Sequence, residues 1–237
     1  LMNSPDHFRD GTRFSQVMAI YNNDSWLRNR LLTILEPIEI KTRTQISHYL
    51  GITYGSDAFY QKAICKDEAI YQVILDNFTN EISRNSKDPV IKHHKTNYGG
   101  YFPIWVVIEF LSFNTLSKYY GNLQEKDKKT IARNSYHVND FFLGQWLHVL
   151  SVLRNICAHY GYLYRREYPL RPKMATEFGW DFSKNNRLFA TFLVMRRLSE
   201  KTLWNEFIQE IGEREKTGSF FHLRDYGFPD DWRSYLV

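Results

Sequence analysis

A chain of 237 residues with 43% hydrophobic and 16% aromatic content can bury a sizeable core, and no window approaches the ~18 apolar residues of a membrane span. Residues 1–10 lack the charged-then-apolar order of an export signal, and the two cysteines, Cys65 and Cys157, stand far apart without a CxxC or Cys/His cluster. A cytoplasmic protein with reduced core thiols and no disulfide framework is expected; the net charge of +5 permits an anionic partner without requiring one.

The apolar spacing reads as helical almost throughout. Thr12 can cap a short helix over about 13–21, and Asp24 a longer one in which Leu27, Leu31, Ile34, Ile38, Ile46 and Leu50 recur at helical intervals. Pro37 should kink it, and Gly51 and Gly55 should end it. Ser56 or Asp57 opens a short helix, and Asp67 starts another with Ile70, Ile74, Phe78 and Ile82 along one stripe. Asp88 and Pro89 read as a cap and a first-turn proline, ahead of a polar, flexible loop at 92–101. Pro103 begins an apolar helix reaching about residue 120, with Trp105, Phe110 and Phe113 expected in the core. A charged helix follows over 125–134, then one from Asn139 or Asp140 to His159. A second flexible loop, 161–184, leads to interrupted helical sequence over about 186–215 and a short last helix near Asp230. Without convincing strand alternation or internal repeats, the expectation is an all-α fold forming one domain over 1–237.

Chemistry concentrates in Leu153-Arg154-Asn155-Ile156-Cys157-Ala158-His159-Tyr160-Gly161. Histidine can take a proton from a hydroxyl or give one to a leaving oxygen near neutral pH, and arginine's planar fork matches the oxygens of a phosphate whose charge builds during cleavage. Phe142, Trp146, Val149, Leu153, Ile156 and Tyr160 should line one buried face, placing Asn155 and His159 together at i and i+4. Arg154 and His159 then lie roughly 140° apart on an ideal helix, so one unbroken helix does not aim both at a single phosphate. The helix could end or kink at Gly161, or a second copy of the chain could complete the site; the second arrangement is favoured. The bland alternative gives Arg154 a carboxylate partner and leaves His159 closing a helix end. Spacing alone does not decide, because Arg43 and His48 repeat the same interval.

Elsewhere, Glu39 and Arg43 stand at i and i+4 and can form an intrahelical ion pair, or Arg43 can assist RNA binding if its helix borders the cleft. Arg165, Arg166, Arg171, Lys173 and Arg187 alternate with Tyr162, Tyr164 and Tyr168, a mixture that can grip phosphates and stack bases, or simply be a solvated loop. The adjacent His93 and His94, flanked by Lys92 and Lys95, do not suit a metal.

Arg154-Asn155-Ile156-Cys157-Ala158-His159 resembles the R-N-x-x-A-H signature of HEPN proteins, most closely the Abi-like abortive-infection family of bacterial phage defence. Further stretches resemble that family in order: Phe8 to Phe14 with Tyr21, Leu27 and Arg28; Glu39 and Arg43; Pro103, Trp105, Glu109, Ser112 and Phe113; and Tyr226-Gly227-Phe228-Pro229 with Trp232. Asn114 departs from the family's commoner glycine, and Tyr160-Gly161-Tyr162-Leu163-Tyr164 from its usual run after the histidine. The resemblance implies a HEPN-like helical bundle with additional helices, preceded in the family by a further N-terminal portion, with Leu1 as a truncation point. It also implies a cofactor-free, metal-independent endoribonuclease toxin, a homodimer with Arg154, Asn155 and His159 as catalytic residues; the candidate RNA contacts, Arg43, Tyr164, Arg165, Arg166 and Arg171, rest on their residue chemistry. A small structured RNA antitoxin is an implied partner, and no membrane is. The alternative is a catalytically silent RNA-binding or dimerisation module.

Overall fold

A computed structural model describes residues 2–4, 7–8, 10–173, 175–180 and 186–237. The fold is all α apart from a small antiparallel ladder, Met2–Ser4 against His7–Phe8, too short to leave an alternation in the sequence. The chain forms two compact units. One comprises Leu1–Pro37 with Leu153–Val237, the other Ile38–Val152.

Helix α1 spans Phe14–Tyr54 and belongs to both units. It runs unbroken through Asp24, Pro37 and Gly51, which the sequence marks as a start, a kink and a stop. Proline removes one intrahelical hydrogen bond, but Leu27, Leu31, Ile34, Leu35, Ile38, Ile46 and Leu50 are all buried. At about 1.5–3 kcal/mol for each fully buried aliphatic side chain, that stripe outweighs the ~3 kcal/mol lost at Pro37. Termination waits for Gly55, whose φ of 90° suits a residue without Cβ.

In the contiguous unit, two 3-10 turns, Ala58–Tyr60 and Lys62–Ile64, lead to α2, Glu68–Arg84. Asp67 caps α2 as expected, its side chain accepting from Ile70 N at 3.0 Å, but the buried stripe begins at Tyr71 and leaves Ile70 in solvent. Helix α3, Pro89–Asn97, is capped by Asp88 and absorbs most of the segment read as a flexible loop. His94 closes its end, with Nδ1 2.8 Å from Tyr101 O and the ring stacked on Phe102. The single apolar helix expected after Pro103 is two: α4, Ile104–Phe110, and α5, Phe113–Asn122. Ser112 separates them because its hydroxyl caps α5 through Thr115 N at 3.1 Å. Phe113 is core, whereas Trp105 is 53% exposed, against expectation. Helix α6, Glu125–Ile131, continues into a π turn, Ala132–Tyr136, that ends at left-handed His137. The fully buried Asp127 accepts from the hydroxyls of Tyr49 at 2.8 Å and Tyr54 at 2.9 Å.

Helix α7, Asp140–Ala158, passes from this unit to the other between Val152 and Leu153. The second unit also holds α8, Leu188–Leu198, α9, Lys201–Thr217, and α10, Arg233–Leu236, matching the helical tail expected from sequence. Phe189, Phe192, Trp204, Phe207 and Phe228 fill its core, and Trp204 Nε1 donates to Leu236 O at 2.9 Å. Among the described residues no helix is long and apolar enough to cross a membrane.

Candidate active site

The phase of α7 is set by Leu143, Trp146, Leu147, Leu150, Leu153 and Cys157, all buried. Of the expected row, Trp146, Val149 and Leu153 are buried, whereas Phe142 and Ile156 are only half-buried and Tyr160 is exposed. Arg154, a turn beyond Leu150, is half-buried beside the row; Asn155 is half-buried and His159 exposed. Burial pushes the Cys157 thiol up to about 12, which keeps it out of nucleophilic chemistry at neutral pH.

The helix ends in a paired-hydrogen-bond reversal. His159 N still donates to Asn155 O at 3.0 Å, so His159 is the last residue in helical register. Tyr160 turns left-handed at φ 58°, its N–H reaching Cys157 O at 3.4 Å, and Gly161 N donates to Ile156 O at 2.8 Å, the Schellman pattern. The sequence marks Gly161 as the helix end, yet it is not the left-handed residue. It is glycine because a Cβ there would lie 2.9 Å from Ile156 Cγ2 and 3.0 Å from Ile156 O. The reversal starts beyond His159, so the ideal-helix offset of about 140° between it and Arg154 stands.

Two residues of α1, one turn apart, hold the chain beyond the reversal in place. Asp24 and Arg28 are each only 4% exposed. Arg28 Nη1 donates to Gly161 O at 3.2 Å. Asp24 Oδ2 accepts from Leu163 N at 2.7 Å and Tyr164 N at 3.2 Å, while its Oδ1 accepts from the Tyr226 hydroxyl at 2.9 Å. Asp24 is therefore an anchor inside a helix and not a cap. The sequence does carry a trace of this: an Asp and an Arg at i and i+4 interrupt the apolar row of Leu27 and Leu31.

Residues 1–165 match the family of Abi-like proteins. The chain belongs to the Abi-like protein family. No curated protein and no solved structure matches it. Membership ties the chain to abortive infection, a bacterial defence against phage. The matched span of this Abi-like protein holds the whole signature and its α1 anchor, while the family-like closing segment at Tyr226 lies beyond it.

The basic aromatic segment after the signature is built from internal pairs. Arg165 Nε donates to Asp225 Oδ1 at 2.7 Å, and that carboxylate holds the guanidinium above its ordinary range. Arg166 lies over the rings of Tyr162 at 4.9 Å and Tyr168 at 5.9 Å, and donates to Tyr162 O at 3.2 Å. Tyr164 is half-buried edge-on to Tyr226, and Tyr168 is buried. Arg171 is exposed. Gly227, with φ 87°, lets Arg187 pass so closely that a Cβ would stand 2.2 Å from Arg187 Cβ; Arg187 Nη2 donates to Asp225 O at 2.9 Å. Of the 161–184 loop, residues 174 and 181–184 lie outside the described ones.

Arg43 belongs to the other unit, where it pairs with Glu39 Oε1 at 2.5 Å and donates to the carbonyls of Ile108 and Glu109 at the end of α4. Its guanidinium is a structural clasp for α4. The separate arginine-histidine interval at Arg43 and His48 shares this unit and has no counterpart of the Schellman turn, since α1 continues past it.

Proposed function

We propose that this Abi-like protein is a metal-independent endoribonuclease that inhibits growth during abortive infection. The supporting observation is the end of α7: an exposed histidine at the last helical position, an amide one turn below and a half-buried arginine, followed by a loop that Asp24 and Arg28 hold in place. In the reaction, His159 takes the proton from a ribose 2'-hydroxyl, whose oxygen attacks the adjacent phosphorus. The bond from phosphorus to the 5'-oxygen breaks, and that oxygen is protonated by His159 of the partner subunit. Arg154 stabilises the charge gathering on the non-bridging oxygens, and Asn155 orients the phosphate or the imidazole. The products are a cyclic phosphate and a 5'-hydroxyl.

A homodimer belongs to this reading because the helical register from Arg154 to His159 is unbroken, so a second chain is what brings an arginine and a histidine to one phosphate. The test is cleavage of total RNA by purified protein in EDTA, with His159→Ala alongside. Cleavage by the wild type alone, with cyclic-phosphate ends, is expected. Equal cleavage by both proteins sinks the assignment, and binding without cleavage by either would mark a silent RNA-binding module.

A further inference from the structure

Next to His159 stands a tyrosine where a glycine would be the less strained choice. Tyr160 occupies the left-handed position of the Schellman turn at φ 58°, the place glycine commonly fills because Cβ crowds the backbone there. The close approach in this turn is met one residue later, at Gly161. Tyr160 is 83% exposed, and among the described residues its ring meets no other aromatic ring and no hydrogen-bond partner. Neither packing nor backbone geometry accounts for a large side chain here. A strained, exposed residue beside the candidate catalytic group motivates a functional reading.

The neighbouring tyrosines are engaged. Tyr164 and Tyr168 are turned inward, and Tyr162 has the Arg166 guanidinium over its ring. Tyr160 is thus the open ring beside His159. The chemistry supplies the occupant, since a 2'-oxygen reaches the in-line position behind its own phosphate only when the nucleotide leaves regular A-form stacking. An unstacked base needs a surface to rest on, and an aromatic face provides one for any base.

Resting on the endoribonuclease reading, we propose that Tyr160 is a stacking platform holding an unpaired nucleobase beside the phosphate on which His159 acts, so that the substrate class is single-stranded or looped RNA. The ring selects the unpaired state without reading sequence. The neighbouring cations, Arg165 and Arg166, track the backbone.

The test compares wild type, Tyr160→Gly, Tyr160→Phe and His159→Ala on one RNA oligonucleotide, single-stranded or annealed to its complement. Affinity, single-turnover cleavage, thermal melting and sedimentation are read for each. Tyr160→Gly should melt at or above the wild-type temperature yet bind the single strand about 10-fold more weakly, within the range for loss of one aromatic–base stack. Tyr160→Phe should match wild type, and wild type should cleave the single strand in preference to the duplex. Unchanged single-strand affinity in Tyr160→Gly, or equal duplex cleavage by wild type, overturns the proposal. So does a Tyr160→Gly protein that loses a dimer while its RNA affinity stays intact, because the ring is then a subunit contact. Wild-type cleavage by His159→Ala would instead sink the catalytic reading, leaving the affinity comparison to decide on the platform separately.

Discussion

Asp24 and Tyr226 lie 202 positions apart in the chain and meet through a 2.9 Å hydrogen bond from the tyrosine hydroxyl to Oδ1. The same carboxylate receives Leu163 N and Tyr164 N, so one buried side chain ties the first helix, the segment after the signature and the closing segment together. Burial, and after it Asp24, pushes the Tyr226 hydroxyl far above its ordinary pKa, so it remains a donor throughout the accessible range.

Asp24→Ala should destabilise the fold by about 3 kcal/mol or more, because it strands two backbone amides and a hydroxyl in a buried setting. Tyr226→Phe leaves both amides satisfied and should cost about 1 kcal/mol. Urea unfolding of the two variants measures the difference. Equal losses would mean that the amides find another acceptor and that Asp24 is no anchor.

Leu153→Asp should unfold the protein, since it places a carboxylate in the buried row of α7. Arg154→Ala and His159→Ala should remain folded and lose ~10²-fold or more in cleavage. Circular-dichroism melting alongside RNA cleavage separates the outcomes. An Arg154→Ala protein that melts like Leu153→Asp would return the arginine to a structural role.

Replacing Arg165, Arg166 and Arg171 together with glutamine should lower the salt dependence of RNA affinity by up to about three phosphate contacts, at roughly 0.7 log-log slope units each for single strands. Arg165 should contribute least, because Asp225 already holds its guanidinium. The saturated single-turnover rate should change much less than affinity. A collapse of that rate with affinity intact would contradict a binding role.

His148 on α7 is half-buried, its buried Nδ1 meets no hydrogen-bond partner among the described residues, and burial, followed by Lys118, lowers its pKa. The unfolded chain therefore takes up this proton near pH ~6.5 while the folded chain resists until lower pH. Between the two the unfolded state binds more protons, so stability falls as pH drops below about 6.5 and is level with respect to this group above it. His148→Gln should flatten that limb in urea unfolding measured from about pH 5 to 7.5. An undiminished slope would assign the acid sensitivity to other groups.

Local chemistry makes several features legible. Asp67, Asp88 and the apolar row of α7 announce helix starts and a buried face, and Arg154 to His159 can be read because six consecutive residues carry the signature. The illegible features are decided at a distance. Asp24, Pro37 and Gly51 are local break signals, overruled by the burial of α1 along most of its length. The stripe of α2 differs from its expected course only at its start, Tyr71 for Ile70, and that of α7 keeps Trp146, Val149 and Leu153 but takes in Leu143, Leu150 and Cys157, because equally apolar neighbours compete until packing chooses. Arg28 and Tyr226 are visible as residues, but their hold on the signature loop depends on chain segments that no local pattern connects.

The unit comprising Ile38–Val152 is contiguous, whereas the signature's unit is assembled from both ends of the chain. On a ribosome adding roughly 5–20 residues per second, the contiguous unit can emerge whole while Asp24 still awaits its partners. Leu163 and Tyr164 arrive first, and Tyr226 only some seconds later. A nascent chain thus carries α1 finished and its anchor vacant, and translation cut short before Tyr226 releases a polypeptide whose signature loop is incompletely tied. Order of synthesis makes the candidate cleavage site among the last parts of the protein to mature.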